Sequence, residues 1–441
     1  MLTALRRAAP VTALFAVVVL AGYLGGAAVM RFRLPAATFL DQGFDGGAAI
    51  LEKERERHTP NPPPPPWPTL FRCDKPEKTC DGFTLYMPAN ESKAVLIDMH
   101  ADTVHEWHKT FREVWPKPPH VKDPVPDEKV YFCSGRLFAD GRLLVVFQAS
   151  GDTPYGYGLA MLDRNSNVLW TFDDNVHHEV DIGDDGRIYA LTHRIIHDAP
   201  AGLDWIPTPC LVDDVVVLSA DGTNPKKVSI LEAFRDSDYR LLLDRIRSRR
   251  EPDAAYLASP GARREKRIDS RGDILHANFV QVLTPRLASA FPMFKSGQVL
   301  ISFRELSALA VLDLETSKVV WAAVGPWEGQ HCPQFLDNGR LLLLDNHGIA
   351  AGSRVVEYDP ADQSFPWWAP KVPGVFHTRV RGVVQRLPNG NTFIVESETG
   401  DLREVTPEDE LVWYVQTRPH IPCGRRYRPE DLTFLDGKKP R

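Results

Sequence analysis

Two kinds of hairpin alternate along this chain, and no other feature restricts its fold as tightly. The first kind is a strand, an acidic turn and a second strand that often closes on tryptophan: LIDMHADTVHEW (96–107), MLDRNSNVLW (161–170), VLDLETSKVVW (311–321), EYDPADQSFPWW (357–368) and EVTPEDELVW (404–413). The stretch VVLSADG (216–222) is a sixth copy without the tryptophan. The second kind is a tighter turn on Gly141, Gly186, Gly297, Gly339 or Gly390, flanked by apolar, β-rich residues. Glycine supplies the backbone freedom of such a turn and the apolar flanks supply its strands.

One hairpin of each kind makes a four-stranded unit. Successive turn glycines fall 45, 111, 42 and 51 residues apart, close to the forty-odd residues of a propeller blade, with one long interval. A β-sandwich does not call for two hairpin types in fixed alternation. The length of 441 residues exceeds the usual compact domain, and one large all-β architecture accommodates it. The expected fold class is all-β: a six-bladed β-propeller over residues 94–435, with an N-terminal transmembrane helix and a helical insertion in one blade.

Equal offsets from the turn glycines mark equivalent places in successive blades. Eight residues before the glycine stand Cys133, His178, His331 and Gly382; seven after it stand Gln148, His193, Arg304, Asn346 and Ser397. A hairpin brings its two open ends together, so both sets lie at the end of the blades opposite the turns. Innermost strands line a propeller's channel, which puts these residues in a polar ring around one mouth. His331, His178 and Arg304 are the candidates this geometry singles out. His276 lies 21 residues before Gly297, outside the offset rule, although the run HANFVQVL that it opens reads as an inner strand. His193, His197 and His347 read as solvent-facing or hydrogen-bonded rim residues.

No charged residue interrupts Ala8 to Met30, a run long enough for a bilayer core, which takes about 20 residues. A cleaved signal peptide is the competing reading, but the run is longer than a signal core and has no small-x-small end. Residues 1–33 are therefore expected to be a membrane anchor. Arg6, Arg7 and the N-terminal amine outweigh Arg31 and Arg33, which favours a single-pass inner-membrane protein with its body on the periplasmic side. Residues 34–93 read as a juxtamembrane segment, charged from Glu52 to Arg57, and a linker stiffened by Pro60 and the polyproline II run Pro62 to Pro66. In an oxidising compartment Cys73 and Cys80, flanking six residues, form a candidate disulfide.

The other cysteines, Cys133, Cys210, Cys332 and Cys423, lack zinc spacing, so no metal site is expected. A net charge of -6 gives no support to a nucleic-acid surface. The long interval holds an insertion at 223–273. In it, Ser229 and Glu232 form a capping box for an amphipathic helix with Ile230, Leu231, Phe234, Leu241, Leu242, Leu243 and Ile246 as its apolar residues. An Arg- and Lys-rich stretch, 245–271, follows. A solvated excursion and a lid or partner-docking arm are both open readings of it.

The stretches that hold the candidate residues resemble, in order, motifs of the bacterial arylsulfotransferases. They are His177-His178-Glu179-Val180, His276-Ala277-Asn278, Ser302-Phe303-Arg304, Gln330-His331 with Gln334 to Gly339, and Leu344-Asp345-Asn346. Gln385 to Thr392 resembles the family's last inner hairpin, and the likeness runs from about Lys93 to Val415. The resemblance implies a six-bladed propeller that moves a sulfuryl group from a phenolic sulfate ester to a phenolic acceptor, with no cofactor and no nucleotide donor. The absence of a GxxxxGK[ST] phosphate loop agrees. It implies that His331 is the nucleophile that becomes sulfated and that His178, or its neighbour His177, lies with His276 and Arg304 around the sulfate.

Either His276 or His178 is then the base for the acceptor. Tyr155, Phe303, Trp327, Phe335 and Phe376 are candidate aromatic walls. The chain departs from the family at Cys332, where an acid often follows the nucleophile. The membrane is the other expected partner, with a homo-oligomer left open. Two rival readings remain: a non-catalytic propeller scaffold or binding protein in the envelope, against which the four retained side chains count, and a quinone-cofactor dehydrogenase. The latter usually has more blades and a calcium-ligating acidic cluster, which does not stand out here.

Overall fold

The computed structural model describes residues 70–435 other than 90, 250–271, 349–351, 371–375 and 418–419, together with Gly437. Their strands form six antiparallel sheets, the blades of a six-bladed β-propeller. Blades two to six each open with their inner strand: Val130–Leu137, Val176–Ile182, Ala277–Val282, His331–Phe335 and Val383–Arg386. The five glycine turns join these strands to the second strands, and the acidic turns join third strands to fourth. The first blade has no glycine turn because its inner strand, Cys423–Tyr427, comes from the far end of the chain and pairs with Phe83–Met87. Five inner turns against six outer ones is thus the signature of a ring closed by both ends of one chain.

The propeller begins earlier than residue 94. Leu70–Arg72 pairs with Leu411–Gln416 as a fifth strand of the sixth blade, and Phe83–Met87 belongs to the first, so the expected linker 34–93 overlaps the body. Cys73 and Cys80 are free thiols rather than a disulfide. The order a bridge would bring to this loop comes from elsewhere. The Cys80 N–H donates to Glu404 (2.6 Å), its carbonyl accepts from Arg426 (2.6 Å), and Lys78 pairs with Glu410 (2.6 Å). Among the described residues no helix is long and apolar enough to cross a membrane; the expected anchor, juxtamembrane segment and polyproline run lie outside them.

Strands buried on both faces read as continuous apolar runs, and the run Leu341 to Leu344 shows how a blade uses one. Leu341 and Leu343 enter the core shared with the fourth blade, Leu342 and Leu344 the core shared with the sixth. The repeated tryptophans close the seams between blades. Trp107 Nε1 donates to Gly141 O (3.1 Å), Trp367 to Pro407 O (3.0 Å) and Trp413 to Met99 O (2.9 Å), in each case one blade on. Trp170 lies flat on Gly222, whose φ of 78° suits glycine and where a Cβ would meet the indole at 2.5 Å.

The helical insertion does not interrupt a blade. Lys226–Ser229, expected within it, is the fourth strand of the third blade, so the segment links the third blade to the fourth. Ser229 caps the helix Ile230–Arg235 by accepting the Glu232 N–H (3.4 Å), the forward half of the expected capping box. Ile230, Leu231 and Phe234 are buried, and the Phe234 ring sits 5.2 Å from Phe303 on the fourth blade. This part of the insertion is core, while the Arg- and Lys-rich stretch from 250 to 271, read as an excursion or a lid, lies outside the described residues. Phe234→Ala is expected to cost about 3–5 kcal/mol, read as a lower urea midpoint at unchanged slope. Leu241→Ala, at a side chain 77% exposed, is the control, expected to stay within about 0.5 kcal/mol.

Candidate active site

Near one end of the propeller the inner strands lose their regular register. Residues drop out of pairing at Cys133, at His178 and Glu179, at Asn278, and at Cys332 and Pro333. Such bulges bend a strand and re-aim its side chains. His178, His276, Cys332 and Arg381 have φ of 55, 51, 53 and 59°, a region costing these residue types about 1–3 kcal/mol each. Left-handed backbone therefore recurs where the sequence places its polar ring, as it does at several turns elsewhere.

His178, His276, Arg304 and His331 all line one cavity of about 630 Å³, together with Tyr155 and Arg381. A groove of about 740 Å³ at the turn end, between the third and fourth blades, has no comparable cluster. His177 is fully buried behind His178. The choice of His178 by offset agrees with this geometry, but register does not explain it. His331 faces Leu344 while His177 faces Leu191, both five residues past the turn glycine, and the unequal bulges turn His178 into the cavity. The positions seven residues past each glycine also converge. Gln148 accepts the His178 N–H (3.4 Å), Ser397 lines the cavity and Asn346 holds His331. His193 is buried behind the site, whereas His197 and His347 are exposed.

His331 is fixed at both ring nitrogens. Asn346 spends its amide N–H groups on Thr378 O and Arg381 O (both 2.8 Å), which turns its Oδ1 toward His331 Nδ1 at 2.8 Å. Nδ1 must then carry the proton, leaving the lone pair on Nε2, which accepts the Arg381 N–H at 3.2 Å. Burial first, then the charges of Arg304 and His276, push this imidazole down to about 3, against the Asn346 bond. It is a neutral base at ordinary pH. The folded value lies below the unfolded one, so the unfolded chain binds the extra proton and stability falls as pH drops below 6.5. His331→Asn should remove ~1.4 kcal/mol of acid sensitivity per pH unit. Urea unfolding at pH 7 and pH 5 checks this: wild type should lose about 2 kcal/mol more than the variant.

His276 behaves oppositely. Burial pulls its pKa down, but the Asp273 charge and its 2.6 Å bond from Nδ1 to Oδ2 outweigh burial and raise it, favouring the cation. Asp273 also accepts Tyr155 OH at 2.9 Å. His178, whose ring centroid is 4.9 Å from that of His276, is held well below its ordinary value by burial and then by the neighbouring His276, His177 and His331. Arg304 begins the short turn after the strand Val299–Phe303. Its N–H donates to His276 O (3.1 Å), and Glu305 holds its guanidinium at 2.6 Å. The cavity thus combines one neutral nucleophilic nitrogen, a second neutral imidazole, a cation-favouring imidazole and a guanidinium, an arrangement suited to an anionic group in transfer.

Sequence reasoning passed over Asp273, although its spacing of three residues before His276 was a readable signal, and it gave Asn346 no task. Of the five aromatic wall candidates, Tyr155 lines the cavity, while Phe303, Trp327, Phe335 and Phe376 are packed in the cores between blades. Cys332 faces Val384 O (3.4 Å) and Gln334 (3.3 Å), and burial pushes its thiol up to about 11. Asn346, not the residue after His331, orients the imidazole.

Several solved structures match the chain at low identity. A Bacteroides caccae protein of unknown function matches 79% of this chain with 100% of its own at 12% identity and a TM-score of 0.49. A streptogramin B lyase matches 80% with 88% of its own at 10% identity and a TM-score of 0.41. TolB from Acinetobacter baumannii matches 78% with 66% of its own at 8% identity and a TM-score of 0.43. None of these bears on chemistry. A search of curated proteins finds no match. The family model described as Arylsulfotransferase (ASST) matches residues 136–418, more than half of the chain and a span that includes His178, His276, Arg304 and His331. The chain therefore belongs to the arylsulfotransferase family.

Proposed function

We propose that this protein transfers a sulfuryl group from a phenolic sulfate ester to a phenolic acceptor through a sulfated His331. The observation that carries the proposal is the state of His331: a buried imidazole, neutral and aimed by Asn346, with its Nε2 lone pair at the wall of the cavity that Arg304 and His276 also line. In the first half-reaction Nε2 attacks sulfur, an N–S bond forms, and the S–O bond breaks with its electron pair leaving on the donor phenolate. Attack exchanges the 3.2 Å contact with the Arg381 amide for the N–S bond. Arg304 and cationic His276 neutralise the sulfuryl oxygens in both steps.

In the second half-reaction the acceptor phenol, with a pKa of about 10, gives its proton to a base as its oxygen takes the sulfur. His276 is poorly suited, because Asp273 favours its protonated form. His178, held neutral, is the base. Its acquired proton serves the next donor's leaving phenolate, so protons balance over a cycle. The protein is further proposed to work on the periplasmic face of the inner membrane, anchored by residues 1–33.

Incubation with 4-nitrophenyl sulfate tests the reading. Nitrophenolate release should be slow alone and rise severalfold with added phenol, with parallel double-reciprocal plots of ping-pong exchange. No release from any aryl sulfate is the outcome of the scaffold reading.

A further inference from the structure

Behind the cavity wall, three buried polar groups lack closed hydrogen bonds: His177 Nε2, His193 Nδ1 and Asp213 Oδ1. One ligand-type atom from each of these residues lies within 4.8 Å of the others. Two observations oppose a metal ion there. His193 Nε2 accepts the backbone N–H of Gly156 at 3.0 Å, so the proton of the neutral ring sits on Nδ1 and neither nitrogen has a lone pair to give. The rings of His177 and His193 are also stacked, 4.3 Å apart at 17°. Lone pairs lie in the ring planes, and near-parallel planes do not converge on one ion.

An all-protein arrangement fits better. Asp213 Oδ2 accepts the Ala277 N–H at 2.9 Å, which leaves Oδ1 facing His177 Nε2 at 3.3 Å. A proton on Nε2 satisfies two of the three orphaned atoms, His177 Nε2 and Asp213 Oδ1, with a slight closing of that contact. His177 Nδ1 then holds a lone pair and lies 2.8 Å from His178 Nδ1, which must bring the hydrogen. The chain of contacts ends with a bare Nε2 on His178, the histidine that lines the cavity.

We propose that Asp213 and His177 are a positioning pair that sets the tautomer of His178, keeping its Nε2 free to take the proton of the acceptor phenol. The proposal rests on the sulfohistidine reading above. In the step it serves, the phenol O–H proton passes to His178 Nε2, the phenol oxygen bonds to sulfur, and the N–S bond breaks with its electron pair returning to His331 Nε2. Asp213, through His177, then faces the imidazolium that forms. Neither His177 nor Asp213 touches substrate.

Asp213→Asn in the full chain is the test. The Ala277 N–H holds the amide oxygen on its own side, so the new NH₂ points at His177 Nε2 and reverses both tautomers. With 4-nitrophenyl sulfate and no acceptor, the burst of nitrophenolate should persist, because that leaving group needs no acid. Transfer to unsubstituted phenol should fall about 100-fold, the low end for a lost general base. Transfer to a phenol acidic enough to be ionised at the assay pH should fall little. Equal loss with both phenols, loss of the burst, or no change with either overturns the proposal.

A measurement on wild type covers a variant that fails to fold. With ¹⁵N-histidine labelling, and His178→Gln to assign the signal, His178 should show a protonated Nδ1 and a bare Nε2. The opposite tautomer, or about one equivalent of tightly held divalent metal per chain, overturns it. If wild type gives no burst, the sulfohistidine reading has failed, and the tautomer measurement still decides where the proton lies.

Discussion

His331→Ala is expected to lower sulfuryl transfer by about 10⁴-fold or more, because it removes the atom that bonds to sulfur and leaves only the binding groups of the cavity. The effect should be the same with every donor and acceptor, since both half-reactions pass through Nε2. Truncation also frees the Asn346 Oδ1 that accepted Nδ1–H, an unpaired buried acceptor costing about 1–3 kcal/mol. A fold check must therefore accompany the assay. His331→Asn, which offers a donor to the same oxygen, should be as inactive while losing less stability. Turnover within tenfold of wild type in a folded variant contradicts the nucleophile assignment.

Arg304→Ala is expected to cost about 10³-fold in both half-reactions, the scale of losing a preorganised charge-stabilising donor. The guanidinium is held at 2.6 Å by Glu305, and its backbone by His276 O, so it meets the sulfuryl group without having to be ordered first. Arg304→Lys should recover only part of the loss, because an ammonium is a point charge without the fork that grips two oxygens. Pre-steady-state burst rates separate this from the Asp213 variant: Arg304→Ala slows the burst, Asp213→Asn does not. A burst at the wild-type rate in Arg304→Ala would remove the residue from the transfer step.

The architecture was legible because five of the six blades repeat the same two turns, and because strands buried on both sides cannot hide their apolar runs. The closing strand Cys423–Tyr427 carries no turn glycine, and its partner Phe83–Met87 reads in sequence as linker, since their pairing joins the two ends of the propeller. Offsets located Arg304, Asn346 and Gln148 because no extra element lies between each turn glycine and the second strand that follows it. They failed for His276 because the helix Pro285–Ala288 lies between the strand Val282 ends and the turn at Gly297. The contrast between His177 and His178 depended on bulge size, which a linear count does not register. Asp213 had no local signal at all, as it reaches His177 only across the intervening strand Ile188–Ile196 of the third blade.

Sulfation of His331 is the claim on which the rest depends. Wild-type protein mixed with 4-nitrophenyl sulfate without acceptor, quenched within the burst in alkali and digested, should yield one peptide containing His331 heavier by a sulfuryl group. The label should vanish when phenol is added before the quench. Label on another residue, or a burst with no labelled peptide, contradicts the account.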